Sequence, residues 1–198
     1  PEFFDASNRD ARDKLVNDLL RDHHPMIINS QDARKDIVEF YGADPTRIFA
    51  LPFAPIVDLD TLRPRPDLLA QHKITQPYFL VSNQWWIHKS IGTVFEAIKI
   101  LKDRDLQFRV GFTGRFEEPR QAEHVKKLYD LIPELGISDH VMLLGYIPKR
   151  DQLELMKGAT AIIQPTLFEG GPGGGSVYDA VSLGKRCLVT DIPVNREL

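Results

Sequence analysis

The chain holds one cysteine, Cys187, among 198 residues. A single thiol excludes a disulfide framework and a cysteine-rich zinc site. No apolar run reaches the roughly 18–20 residues needed to span a bilayer, and no signal-peptide pattern opens the chain. An excess of one charge is missing too. The 28 acidic and 25 basic residues leave a formal charge of −3, which argues against nucleic acid as the main partner. His23 and His24 have no companions at metal-ligand spacing, and no Ser, His and Asp are spaced as a nucleophilic triad. An initiator methionine is also lacking: the chain begins Pro1-Glu2 and stops at Glu197-Leu198, straight after a strand-like run. That pattern leads us to expect an excerpt of a longer protein.

What is present is ordinary globular composition, 42% hydrophobic and 27% charged. Short runs rich in Val, Ile, Leu or Phe at 26–29, 78–83, 108–113, 141–144, 161–164 and 187–190 read as strands covered on both faces. Helical stripes lie between them. Ile91, Val94, Phe95, Ile98 and Leu101 form one, and Val125, Leu128, Ile132 and Leu135 another, with Gly136 as its stop. Leu153, Met156 and Ala159 mark a shorter helix, and a fourth runs from Gly174 or Ser176 to Leu183, ended by Gly184. Alternating strands and helices predict an α/β fold with a mostly parallel sheet.

The first third reads differently. Residues 5–22 are strongly charged around Leu15, Leu19 and Leu20, which predicts an exposed helix. A strand at 26–29 and a helix over 31–41, with Ser30 as its N-cap, follow. Pro52, Pro55, Pro64, Pro66 and Pro77 then crowd one stretch, as a linker does. The expected organisation is therefore a fragment over 1–51, a linker over 52–76, and an α/β domain over 77–198. The first piece is too small to bury a core by itself.

In an open parallel sheet, ligands bind beyond the carboxyl ends of the strands. The most informative loop there reads Phe168-Glu169-Gly170-Gly171-Pro172-Gly173-Gly174-Gly175-Ser176 and opens a helix. Glycines let backbone N–H groups approach a ligand, and a helix N-terminus favours anions, so a phosphate or diphosphate is the natural guest. The bland reading is a flexible surface loop. No Gly-Lys-Ser/Thr follows, as a Walker A loop needs, and no Gly-x-Gly-x-x-Gly follows the strand at 78–83, as a Rossmann dehydrogenase needs. Glu169 and Asp179 flank the loop, and carboxylates beside an anion site suit sugar hydroxyls, from which they accept strongly. Lys89 begins a helix, where a cation opposes the dipole unless an anion shares the site; otherwise it is a solvated lysine. Arg115 offers a second positive charge or is a surface residue. Trp85 and Trp86 read as packing, or more sharply as a stacking surface. Lys149-Arg150 read as solvated surface, and Cys187 as a small core residue.

Several of these segments together resemble the donor-binding domain of retaining glycosyltransferases of family 4, which have the GT-B fold. They are Val141–Ile147, Ala159–Pro165, Leu167-Phe168-Glu169-Gly170, Asp179–Gly184 and Thr190–Pro193, with Lys89 after the strand at 78–83. The resemblance covers residues 26–198. It implies an α/β, Rossmann-like parallel sheet with helices on both faces, preceded by the tail of an acceptor-binding domain. It also implies transfer of a hexose from a nucleoside-diphosphate sugar to an acceptor hydroxyl with retained configuration. Carried over by position, Glu169 contacts donor-sugar hydroxyls and Lys89 neutralises the diphosphate. Gly173, Gly174, Gly175 and Ser176 cradle that diphosphate, Asp179 holds the ribose, and Tyr146 and Ile147 flank the base. Three departures stand out. Nine residues separate Glu169 from Asp179, two more than the family pattern; Asp179 replaces a Glu; and Gln84 stands where the family has Arg, with Arg115 as a substitute charge.

The implied donor is GDP-mannose or a UDP-sugar, with no cofactor and no metal. The implied acceptor is a glycan or lipid-linked molecule in polysaccharide or glycolipid synthesis. The expected location is cytoplasmic, peripheral at the inner membrane face if the missing domain makes that contact. Two alternatives stay open: a GT-B-fold sugar-nucleotide epimerase, and a non-catalytic nucleotide-binding Rossmann-like domain.

Overall fold

The computed structural model describes residues 3–54, 57, 66–75, 77–119 and 121–198. They fall into two compact units. Within the proline-rich stretch, residues 55, 56, 58–65 and 76 lie outside the described set.

The first unit takes the residues up to Ala54 together with Glu169–Gly174 and Asp191–Leu198. Helix α1 (Ala6–Arg21) starts where the Asp5 carboxylate accepts from Asn8 N–H at 2.7 Å, and it buries no residue. Its charged sequence leaves it little to bury. Helix α2 (Gln31–Tyr41) starts at Ser30, whose Oγ accepts from Ala33 N–H at 3.0 Å, and it stops at left-handed Gly42. Strands β1 (Met26–Ile28) and β2 (Ile48–Ala50) pair in parallel, with Met26 opposite Ile48. The Arg34 guanidinium of α2 donates to the Ile48 carbonyl at 2.9 Å and the Pro45 carbonyl at 2.7 Å, which fastens the helix to β2.

The second unit takes the rest. Its five strands are β3 (Tyr78–Ser82), β4 (Arg109–Thr113), β5 (Val141–Gly145), β6 (Ile162–Gln164) and β7 (Cys187–Val189). All pairings are parallel and the order is β5-β4-β3-β6-β7. Helices α4 (Ile91–Lys102), α5 (Ala122–Glu134), α6 (Lys149–Gly158) and α7 (Gly174–Ser182) connect them. A further short helix, α3 (Pro66–Gln71), lies inside the stretch read as linker, and its Leu68 is buried.

Successive strand residues point to opposite faces, and the two cores follow from that. Val81, Val110 and Phe112 join Val94, Phe95, Ile98, Leu128 and Ile132 of α4 and α5. Tyr78, Leu80, Met142 and Ile162 join Leu68, Leu155, Met156 and Ala180 of α3, α6 and α7 on the other face. Fully burying a side chain such as Phe95 or Ile162 stabilises by roughly 1.5–3 kcal/mol. Tyr78 is the polar member: its hydroxyl donates to the Leu155 carbonyl at 2.7 Å, and burial pushes the phenol up to about 12. At the β7 edge, Cys187 is half-buried with Sγ 3.7 Å from the Lys185 carbonyl, and burial pushes its thiol up.

The strand order reverses direction between β3 and β6, which lie side by side. The crevice beyond the carboxyl ends of such a pair is where open α/β sheets bind ligands.

Candidate functional site

Within the second unit, side chains lace the carboxyl ends of β3, β4 and β6 together. Ser82 Oγ accepts from the Thr113 hydroxyl at 2.9 Å and from the Gln152 amide of α6. Asn83, the residue after β3, donates its amide to Gln164 Oε1 at the end of β6. Beyond β4, Gly114 has φ +122°, and a Cβ there would lie 2.8 Å from the Asn83 carbonyl carbon. Only glycine lets the two strand ends approach this closely. A polar cavity of about 160 Å³ opens above them, lined by Ser82, Asn83, Gln84, Thr113, Tyr146 and Ile147 among others. Tyr146 is 77% exposed, and the Arg115 guanidinium lies 5.5 Å from its ring centroid, a cation–π distance. Arg115 and Tyr146 are thus brought together, as are Tyr146 and Ile147 with the cavity.

Lys89 ends a 3-10 turn, Ile87–Lys89, that separates β3 from α4. It is only 9% exposed, uncommon for a lysine. Ser90 behind it is left-handed at φ 50°, a conformation that costs energy in a residue with a Cβ and gathers at functional sites. The turn is tied to the exit of β6. The His88 carbonyl accepts from Leu167 N–H at 2.8 Å, and Thr166 Oγ1 lies 3.2 Å from the same oxygen. Trp85 is fully buried, packed around Phe95, Phe112, Phe116 and Tyr129. Packing is therefore its role, and the stacking reading of Trp85 is set aside.

Asp179 of α7 is buried, and its carboxylate is ion-paired with the Lys149 ammonium at the start of α6. Lys149 and Arg150 are both exposed, as read from the sequence, and Lys149 in addition forms half of this pair. Gly175 and Ser176 fall in the first turn of α7, where N–H groups have no intrahelical acceptor.

Glu169, Gly173 and Gly174 count with the first unit. There Gly171, Pro172 and Gly173 are buried. A Cβ on Gly171 would lie 3.0 Å from Asn29 Cβ. The Gly173 N–H donates to Asn195 Oδ1 at 2.7 Å, and Glu169 is half-buried. Asn195 is a residue that sequence reasoning missed; nothing in Pro193–Glu197 marks it beyond a polar type, since its partner lies 22 positions away. Among the described residues, no group of three or more His, Cys, Asp or Glu could hold a metal ion, and no helix is long and apolar enough to cross a membrane.

Residues 65–198 match the family model described as Glycosyl transferases group 1. The chain belongs to that family. Solved structures place the fold among GT-B glycosyltransferases. Anabaena Alr3699/HepE, in complex with UDP and glucose, superposes with a TM-score of 0.73 at 16% identity, over 86% of this chain and 45% of that one. A glycosyltransferase from Rickettsia africae gives 0.71 at 15% identity, over 93% and 48%. Sucrose-phosphate synthase from Thermosynechococcus elongatus gives 0.65 at 18% identity, over 84% and 40%. The group 1 chain described here spans about half the length of these structures. No curated protein matches it.

Proposed function

We propose that this group 1 chain is the donor-binding part of a retaining, metal-independent family 4 glycosyltransferase. It would move a hexose from a nucleoside-diphosphate sugar to an acceptor hydroxyl of a glycan or lipid-linked molecule, in polysaccharide or glycolipid synthesis. The observation that carries this reading is Lys89 beyond the carboxyl end of β3, at the reversal of strand order, together with a polar cavity lined by Ser82, Asn83 and Thr113 at the strand ends. An ammonium held beyond a strand end, next to the start of a helix, is placed to stabilise the charge of a departing nucleoside diphosphate.

The roles follow from the resemblance. Lys89 and the N–H groups opening α7 at Gly174, Gly175 and Ser176 stabilise charge on the leaving diphosphate. Gly173 supports that loop through Asn195 rather than donating to the ligand. Tyr146 and Ile147 flank the base, Arg115 adds positive charge beside them, Asp179 accepts from the ribose, and Glu169 accepts from donor-sugar hydroxyls. For the donor base, a uridine nucleotide draws support from HepE, solved with UDP and with UDP-glucose. GDP-mannose is the other donor that the family resemblance implies. Residues 1–51 are the tail of the acceptor-side domain in this reading, residues 52–76 the linker, and residues 77–198 the donor domain. In this reading the protein works in the cytoplasm, and any contact with the membrane's inner face is made through the acceptor-side domain.

The test is a thermal-shift panel with UDP, GDP and ADP on the wild-type chain and on Lys89→Ala. Ligand at 100 times its dissociation constant stabilises by about 2.7 kcal/mol, so the melting point of the wild type rises with UDP or GDP. Lys89→Ala, checked by circular dichroism, loses most of that rise. No shift with any of the three sinks the donor-site reading, and an equal shift in Lys89→Ala sinks the lysine's role.

A further inference from the structure

Asp179 and Lys149 form a pair that the donor-site reading does not account for. Lys149 is the first residue of α6, where the helix dipole repels a cation. Asp179 sits in the second turn of α7 with its side chain 10% exposed, against 57% for Lys149. A buried carboxylate is costly without a compensating charge, and each residue therefore resolves the other's problem. The lysine reaches only Oδ2, and no partner of Oδ1 is found among the described residues. One carboxylate oxygen is committed to holding the group in place, and the other remains an acceptor.

The helix places this acceptor with some exactness. Ser176 and Asp179 are three positions apart on α7, so they share a face, about 4.5 Å apart along the axis. If the N-terminal turn meets a diphosphate, the next group along the same face of a nucleotide is its ribose. Lys149 in turn directly follows Tyr146-Ile147-Pro148, the segment beside the polar cavity.

We propose that Lys149 is a positioning residue: it holds Asp179 oriented as a ribose-hydroxyl acceptor, and the pair makes the site select ribonucleotides over their deoxy counterparts. The inference rests on the donor-site reading. It assigns Lys149 an action through Asp179, with no contact of its own to the phosphates. A lysine that met the phosphates would strengthen ribo- and deoxynucleotides alike, whereas one acting through Asp179 strengthens only ligands that carry the hydroxyl.

Isothermal titration of the full 198-residue chain with UDP and GDP, then with the 2′-deoxy and 3′-deoxy forms of whichever binds more tightly, separates these cases. For the wild type, loss of one of the two hydroxyls weakens binding at least tenfold. In Lys149→Met that penalty falls below threefold, Lys149→Arg restores it, and Asp179→Asn abolishes it like Lys149→Met. Adding Lys149→Met to Asp179→Asn changes nothing further. The proposal is overturned if Lys149→Met weakens ribo- and deoxynucleotide equally, if it leaves the penalty unchanged, or if the wild type shows no penalty. Failure of the wild type to bind either diphosphate overturns the donor-site reading itself and this inference with it. Binding with an unaltered penalty overturns only the role of Lys149.

Discussion

The side-chain amide of Asn83 donates to the side-chain carbonyl of Gln164, with both side chains buried where β3 and β6 end together. The bond joins residues 81 positions apart and closes the floor of the crevice at the reversal of strand order. Gln164→Leu leaves the Asn83 donor buried without its acceptor, which costs about 1–3 kcal/mol. Replacing both residues by Leu recovers part of that loss, because no orphan donor remains. Urea denaturation at unchanged slope measures both effects.

Gly114→Ala is expected to be more damaging than its size suggests. The new methyl would fall against the Asn83 carbonyl group, and φ +122° is a region that side chains rarely adopt. Neither the backbone carbonyl nor the β4 exit can move freely, since Gly114 N–H donates to the Gly145 carbonyl at 2.9 Å. A loss of about 2 kcal/mol or more, read as a lower urea midpoint, is the expected outcome. A neutral Gly114→Ala would show that the two strand ends slide apart easily.

Glu197 caps α2 from the far end of the sequence. Its carboxylate accepts from Gln31 N–H at 2.8 Å and Asp32 N–H at 2.7 Å. The charge also complements the positive end of the helix dipole. Glu197→Ala is expected to cost about 1 kcal/mol, with Glu197→Gln losing less because one acceptor oxygen remains. Faster hydrogen exchange at the Gln31 and Asp32 amides in Glu197→Ala locates the loss; unchanged exchange there contradicts it.

Acid weakens the fold through His124. Burial lowers the pKa of this imidazole from its ordinary 6.5, against a smaller opposing pull from Glu118. The unfolded chain therefore takes up the proton more readily than the folded one. Stability contributed by the neutral ring is present above pH 6.5 and is lost as the pH falls from 6.5 toward the lower folded value. His124→Gln should flatten the pH dependence of the melting point between pH 7 and 5. A wild-type profile equally steep in the variant assigns the loss to other groups.

Much of this architecture is legible in the amino-acid order, and the reasons differ from element to element. Each strand expected from the sequence is present within about a residue of its expected ends, because a buried parallel strand needs a short run of apolar residues between polar or glycine stops. Strand β2 was not legible: Ile48–Ala50 is too short to show a period and exists through its pairing with β1. Helix α3 hid among prolines, one of which, Pro66, is its first residue, a position that proline tolerates.

At the candidate site, Lys89 is legible because a cation just ahead of a helix start is unusual in sequence; that it is buried is not. Lys149 carried the same signal at the start of α6. It is surface, as its sequence suggests, but its pairing is not legible because Asp179 is 30 positions away. Asn195 and Glu197 carry no local signal, since what they do depends on amides that folding brings to them.

The half-buried thiol of Cys187 has a practical use. Burial against the core cluster of Leu80 and Ile162 pushes its thiol pKa up and partly shields it, and a thiol in that state is alkylated slowly. A reagent that modifies it reports how often β7 peels from β6. Because no other sulfhydryl competes, a probe attached through Tyr146→Cys, at a 77% exposed position, would react first. A fluorophore placed there gives an optical readout of the cavity rim in an otherwise wild-type sequence.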